Sequence, residues 1–156
     1  MKHDLALVGA FLLIGMGTPA LGQDVSGSQR QAVQDVEGRL VIAFNRQDAA
    51  GVASLFTDDG IRVTPGGILE GREAIRKDLE KRFSAKFHDL SLEAKIVRGS
   101  DDGTWAAGEW ALKIGDQPAH GYYMVNLVRE GNGFKLRYDA FNVVPPASEK
   151  PASPQR

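Results

Sequence analysis

The chain has 156 residues, 42% of them apolar and 25% charged, with 19 basic against 20 acidic side chains and a net charge of −1. That composition suits one folded domain of ordinary size and excludes a disordered chain. It also lacks the basic excess that a nucleic-acid binder uses to neutralise phosphates. The absence of cysteine excludes disulfides, a zinc–thiolate site, a cysteine nucleophile and a lipid-modified cysteine anchor.

In chain order, Lys2, an apolar run from Leu5 to Met16 and the small-x-small triplet Ala20-Leu21-Gly22 predict a cleaved secretory leader over residues 1–22. Gly9, Gly15, Gly17 and Pro19 interrupt the run, which is shorter than the roughly 20 residues of a membrane-spanning helix. The expected address is periplasmic or secreted, with no membrane attachment after cleavage. The domain that follows, residues 23–144, is expected to hold together by core packing alone.

Val33, Val36, Leu40 and Phe44 fall on one stripe of a helix running from about Ser28 to Gln47. Asp48 is placed as the N-cap of a second, short helix with Val52, Leu55 and Phe56 inward, and Asp58-Asp59-Gly60 reads as the turn that stops it. Ile61 to Thr64 is a short strand ending in a Pro65-Gly66-Gly67 turn. Gly71 opens a third helix over Arg72 to Phe83, with Ile75, Leu79 and Phe83 inward and the pairs Glu73/Lys77 and Asp78/Arg82 on its exposed side.

From residue 88 the apolar period switches to two. Leu90, Leu92, Ala94 and Ile96 predict the buried face of a long strand, and Asp101-Asp102-Gly103 a hairpin turn. Strands over Trp105–Ile114, His120–Arg129 and Phe134–Val144 follow, separated by turns at Gly115–Pro118 and Gly131–Gly133. The layout is α+β, with helices over one face of a curved, mostly antiparallel sheet of four to six strands. The segment 145–156 carries four of the seven prolines and no apolar pattern, and reads as a disordered tail.

Four short motifs lie in a recognisable order: Asn45-x-x-Asp48, Ala53-x-x-Phe56-x-x-Asp59-Gly60, Gly71-Arg72-x-x-Ile75 and Arg129-Glu130-Gly131-Asn132-Gly133-Phe134-Lys135-Leu136. In this order they resemble the nuclear transport factor 2-like superfamily, nearest its SnoaL-like and SgcJ/EcaC-type members. The resemblance spans about residues 30–144 and implies a cone-shaped domain with a pocket. It does not imply one activity, because the superfamily includes isomerases, cyclases, dehydratases and proteins with no chemistry. The positions that match the catalytic groups of its ketosteroid isomerase hold Leu40, Thr64 and Val125. Leucine and valine carry no proton and threonine is a poor base near neutral pH, so that mechanism is not expected here.

Strand phase nominates the pocket residues. Arg62 and Thr64 share a phase on the short strand, where a cation could hold a carboxylate or an enolate-like oxygen. The plainer reading of Arg62 is a surface arginine paired with Asp58, Glu70 or solvent. Trp110, Tyr123, Tyr138 and Asn142 are expected on the concave face, as pocket wall or as plain core. Asp139, in the opposite phase to Tyr138, reads as an outer-face ion-pair partner of Arg137 or a neighbouring strand. His88 and His120 are the only histidines of the domain; without a spaced carboxylate they do not make a metal site, and no metal or cofactor is expected. Trp105, Tyr122 and Met124 point away from the helices and predict a homodimer through the outer sheet face.

Three functions remain open on these residues. The first is a binding domain for a small apolar or aromatic molecule carrying a polar or acidic group. The second is a cyclase-, isomerase- or dehydratase-type enzyme with a different set of acids. The third is a dimerisation or protein-interaction module. On the first, Arg62→Ala is expected to weaken the ligand and spare thermal stability.

Overall fold

The computed structural model describes residues 27–100 and 103–146. The expected leader and nearly all of the expected tail lie outside these residues. The elements are α1 (Gly27–Asn45), α2 (Ala49–Ala53), β1 (Phe56–Thr64), β2 (Gly67–Glu70), α3 (Arg72–Ser84), β3 (Phe87–Ser100), β4 (Gly103–Ile114), β5 (Gln117–Glu130) and β6 (Gly133–Phe141). Six strands form one curved sheet in the order β2-β1-β6-β5-β4-β3. Every neighbouring pair is antiparallel except β1 with β6, which run parallel. The fold is α+β and cone-like.

The apolar stripe of α1 is buried at Val33, Val36, Leu40 and Phe44, where it meets Val52, Ile75, Leu79, Leu127 and Leu136 in one core. Asp48 caps α2 by accepting from the Gly51 amide at 2.7 Å, which satisfies one of the amides a helix start leaves open. Asn45 has a further use: its side chain donates to the Leu90 carbonyl at 3.0 Å and accepts from the Leu90 amide at 2.7 Å. It therefore takes the place of a strand partner where the β3–β4 register shifts between His88 and Ser91.

Residues 58–60 do not form the expected turn. α2 ends at Ala53, and Asp58-Asp59-Gly60 lies inside β1, where the register with β6 shifts between Phe56 and Ile61. Arg72 braces this irregular stretch, donating from Nε to the Phe56 carbonyl at 2.7 Å and pairing with Asp58 at 2.7 Å. Asp59 pairs with Arg137 at 3.5 Å. Both aspartates are thus structural surface groups.

Two strands change phase midway, and both changes alter which residues face inward. In β3, Ala94 pairs with Gly108 but Ile96 pairs with Ala107, so Lys95 is an extra residue. Past it Val97 is buried and Ile96 is exposed, the reverse of simple alternation. In β6, Leu136 pairs with Leu127 but Tyr138 pairs with Asn126, so Arg137 is the extra residue. Such bulges bend a strand and re-aim the side chains that follow.

Candidate functional site: a buried ion pair in an apolar cavity

Between the helices and the concave sheet face lies a cavity of about 240 Å³. Val36, Leu40 and Phe44 of α1 line one side, and Leu92, Leu112, Val125 and Phe141 of the sheet line another. Val36, Leu127 and Leu136 at the lining are fully buried, whereas Ile114, Pro65, Gly66 and Val143 are exposed and mark its opening. The polar groups of the lining are Glu37, Arg62, Arg82, Tyr123 and Asp139.

Arg62 of β1 and Asp139 of β6 are register partners across the parallel joint, and both are buried. Arg62 Nε lies 3.1 Å from Asp139 Oδ2. The Nε–H does not point along that line, so this nitrogen has charge contact without a hydrogen-bond acceptor. The guanidinium also sits 5.2 Å from the centre of the Phe141 ring, and that of Arg82 sits 5.5 Å from the same ring. Burial raises the Asp139 carboxyl above its ordinary range, and the charges of Arg62 and Arg82 oppose this without cancelling it.

At the α1 side, Tyr123 donates from its hydroxyl to Glu37 Oε1 at 2.5 Å. Burial lifts the Glu37 carboxyl above the usual range, with the Tyr123 hydrogen bond pulling it back. Burial, and then the Glu37 hydrogen bond, also raises the Tyr123 phenol, so its proton stays on at any physiological pH.

Trp110 closes the sheet side. Its indole N–H donates to the Asn142 carbonyl at 3.0 Å, and its ring meets Phe141 edge-on at 5.9 Å. The indole reaches across its β5 partner Gly121, where a Cβ would stand 2.8 Å from Nε1 and 2.1 Å from the Asn142 oxygen. Only glycine at 121 leaves room for this crossing.

Of the residues nominated from sequence, Arg62, Trp110 and Tyr123 line the cavity together. Leu40 and Val125, the positions matched to isomerase acids, also line it and bring no proton. Thr64 does not: its hydroxyl accepts from the Gly66 amide and donates to the Gly67 carbonyl, which fixes the β1–β2 turn. Asn142 points outward and accepts from the Tyr122 amide at 2.8 Å. Tyr138 is corrected most sharply. The β6 bulge turns it to the outer face, 41% exposed and stacked on Trp105 at 6.4 Å. The same bulge turns Asp139 inward, so it is a cavity group and not an outer-face ion pair.

Arg82 pairs with Asp78 at 2.5 Å as expected, but at the cavity and only 19% exposed. Arg62 is half of a buried pair and not a surface arginine paired with Asp58, Glu70 or solvent. Glu37 was passed over, although it sits four residues after Val33 and three before Leu40 on the apolar stripe. His88 donates from Nε2 to the Gly115 carbonyl at 2.9 Å, and His120 is exposed on the outer face. Among the described residues, no three His, Asp or Glu side chains are grouped to hold a metal ion.

A family model described as a SnoaL-like domain matches residues 38–144. The chain belongs to the SnoaL-like domain family. Solved structures agree on the nuclear transport factor 2-like fold of this SnoaL-like chain. A ketosteroid isomerase-like protein from Erwinia carotovora atroseptica superposes with a TM-score of 0.67 at 19% identity, covering 77% of this chain and 99% of that one. A nuclear transport factor 2-like protein of unknown function from Shewanella oneidensis gives 0.65 at 13% identity, covering 72% and 98%. A Nostoc punctiforme protein of unknown function with a cystatin-like fold gives 0.67 at 13%, covering 79% and 96%. At these identities the likeness concerns the fold alone. No curated protein matches the sequence.

Proposed function

We propose that this SnoaL-like domain binds a small neutral molecule, one or two rings in size, with its apolar body against Trp110 and a carbonyl or hydroxyl toward Arg62. The observation that carries this reading is the buried Arg62–Asp139 pair in the wall of a mostly apolar cavity. Few polar groups in an apolar hollow suit orientation of a largely apolar ligand. The volume of about 240 Å³ is below the roughly 300–1,000 Å³ of sites for drug-sized ligands, which sets the ring count. A neutral ligand fits better than an acid, because Asp139 already balances the Arg62 charge and a second carboxylate would meet it at close range. A thermal-shift screen of neutral aromatic ketones and alcohols against matched carboxylates tests this. Stabilisation by the neutral series supports it; stabilisation by the carboxylates alone refutes it.

We propose also that two copies pair through the outer sheet face. In the strand register Val63, Ala140, Met124, Ala107 and Ile96 follow one another across β1, β6, β5, β4 and β3. Val63, Met124 and Ile96 on this row are exposed, as are Tyr122 and the stacked Trp105 and Tyr138 beside it. An apolar row flanked by Glu93, Lys95 and Glu109, with charges of both signs, is complementary to its own copy under a twofold axis.

Export remains a proposal carried by the sequence of the first 22 residues, with cleavage near Gly22-Gln23.

A further inference from the structure

The binding reading leaves the hydrogen bonds of the buried pair unassigned. Arg62 and Asp139 both line the cavity, and both are more than nine-tenths buried. Among the described residues their link is the 3.1 Å charge contact alone, and neither the guanidinium nor the carboxylate makes a hydrogen bond. Only the charges of Arg62 and Arg82 act on Asp139 against its burial. The other polar groups of the lining have partners of their own: Tyr123 bonds to Glu37, and Arg82 is held by Asp78 at 2.5 Å. A guanidinium carries only donors and a carboxylate only acceptors. Buried polar groups left without partners cost free energy, and in native proteins nearly all of them have one. A ligand that meets this pair must therefore bring an acceptor for Arg62 and a donor for Asp139, side by side.

We infer that the Arg62–Asp139 pair selects a cyclic amide, whose carbonyl oxygen accepts from the Arg62 guanidinium and whose N–H donates to the Asp139 carboxylate. This rests on the binding reading above and narrows its ligand class. In a ring amide the C=O and N–H are locked on the same side, which matches a donor and an acceptor that stand 3.1 Å apart on neighbouring strands. Arg62 Nε is itself sealed from solvent, so the terminal nitrogens are the donors left for the ligand. A ketone answers Arg62 and leaves Asp139 without a donor. A carboxylate brings a like charge against Asp139 and no donor at all. The apolar remainder of the ring rests against Trp110 and Phe141, which meet edge-on in the same wall. An apolar hollow without the pair would rank these ligands the other way, because an amide is more strongly hydrated than a ketone of the same shape and costs more to bury. A site built to bond a ligand N–H instead discriminates against the analogue that lacks it, because its own polar group is then left unpaired.

The test titrates the full chain, in a Trp105→Phe background read by Trp110 emission, with 1-indanone and with isoindolin-1-one. These compounds differ only in a CH2 or an N–H beside the carbonyl. The lactam should bind about ten- to a hundredfold tighter than the ketone. 2-Methylisoindolin-1-one keeps the carbonyl and loses the donor, so it should fall to the affinity of 2-methyl-1-indanone, the ketone of matching bulk. 1-Indanol, with one atom for both partners, should bind more weakly than the lactam. Replacing the pair by an apolar one, Arg62→Met with Asp139→Leu, should reverse the order and favour the ketone. If that variant fails to fold, the two methylated compounds decide the question on their own. A ketone that binds as tightly as the lactam, a methylated lactam that keeps the full affinity, or an alcohol that equals it overturns the amide and leaves the binding site standing. No saturable response to any of these compounds sinks the binding reading as well.

Discussion

Arg62 and Asp139 stand directly opposite one another at the parallel joint of β1 and β6, with Nε 3.1 Å from Oδ2 and both side chains about nine-tenths buried. The two halves of this pair are not equivalent. A guanidinium stays charged at any working pH, whereas a buried carboxyl can take up a proton. Asp139→Leu therefore strands a buried charge and should cost about 3–5 kcal/mol. Arg62→Met should cost less, because Asp139 can neutralise itself. Replacing both should recover most of the loss, since a packed apolar pair of similar volume is often as stable as a buried ion pair. Urea unfolding of the three variants checks the order; equal and additive losses would count against it.

Gly121 and Trp110 form a second dependent pair. A methyl at 121 meets the Asn142 oxygen at 2.1 Å and Trp110 Nε1 at 2.8 Å. Gly121→Ala should cost about 1–3 kcal/mol by forced displacement, with a shift in Trp110 emission that a Trp105→Phe background isolates. An unchanged melting temperature and emission spectrum would show that the crossing is looser than described.

The raised Glu37 carboxyl has a pH signature. Its ordinary value is 4.5 and burial lifts it in the folded state. Above 4.5 the unfolded chain loses this proton first, so the folded state holds more protons and stability falls as pH rises. The contribution is fully present below 4.5 and is lost once pH passes the raised folded value. Glu37→Gln cannot ionise and should lack this slope. It should therefore be less stable than wild type relative to its own neutral-pH value only in acid. Parallel stability–pH curves for the two proteins would refute the assignment.

Met124 sits at the centre of the outer apolar row and is 52% exposed in a single chain. Met124→Glu should leave the protomer folded and make it monomeric, because an unpaired charge at the middle of an apolar interface is costly. Sedimentation of both proteins decides it. A wild type that stays monomeric at high concentration removes the dimer.

Mass spectrometry of the exported protein should show an N-terminus between Leu21 and Asp24. An intact Met1 in the membrane fraction would contradict cleavage.

The helices were legible because a 3.6-residue stripe and a capping aspartate are local signals, and Val33 to Phe44 and Asp48 needed no tertiary information. The meander was legible for the same reason: turn residues and a period of two mark its strands. The site was legible only up to the bulges. Strand phase places Arg62, Trp110 and Tyr123 correctly, because no extra residue intervenes between them and the reference positions. It fails at Tyr138, Asp139, Ile96 and Val97, because Lys95 and Arg137 each add one residue to one strand alone. Neither is a glycine or proline, so nothing in the chain announces the slip, and one unpaired residue inverts every face after it. Glu37 was legible and overlooked, since an acid on an apolar helix stripe is visible in the spacing itself.

The most direct test of the central claim is a titration of the Trp105→Phe protein, whose remaining tryptophan lines the cavity, with 1-indanone and with indane-1-carboxylate. The account predicts a saturable change in Trp110 emission with the ketone and a much weaker one with the acid of the same ring system. Equal binding of the acid, or no response to either compound, would contradict it.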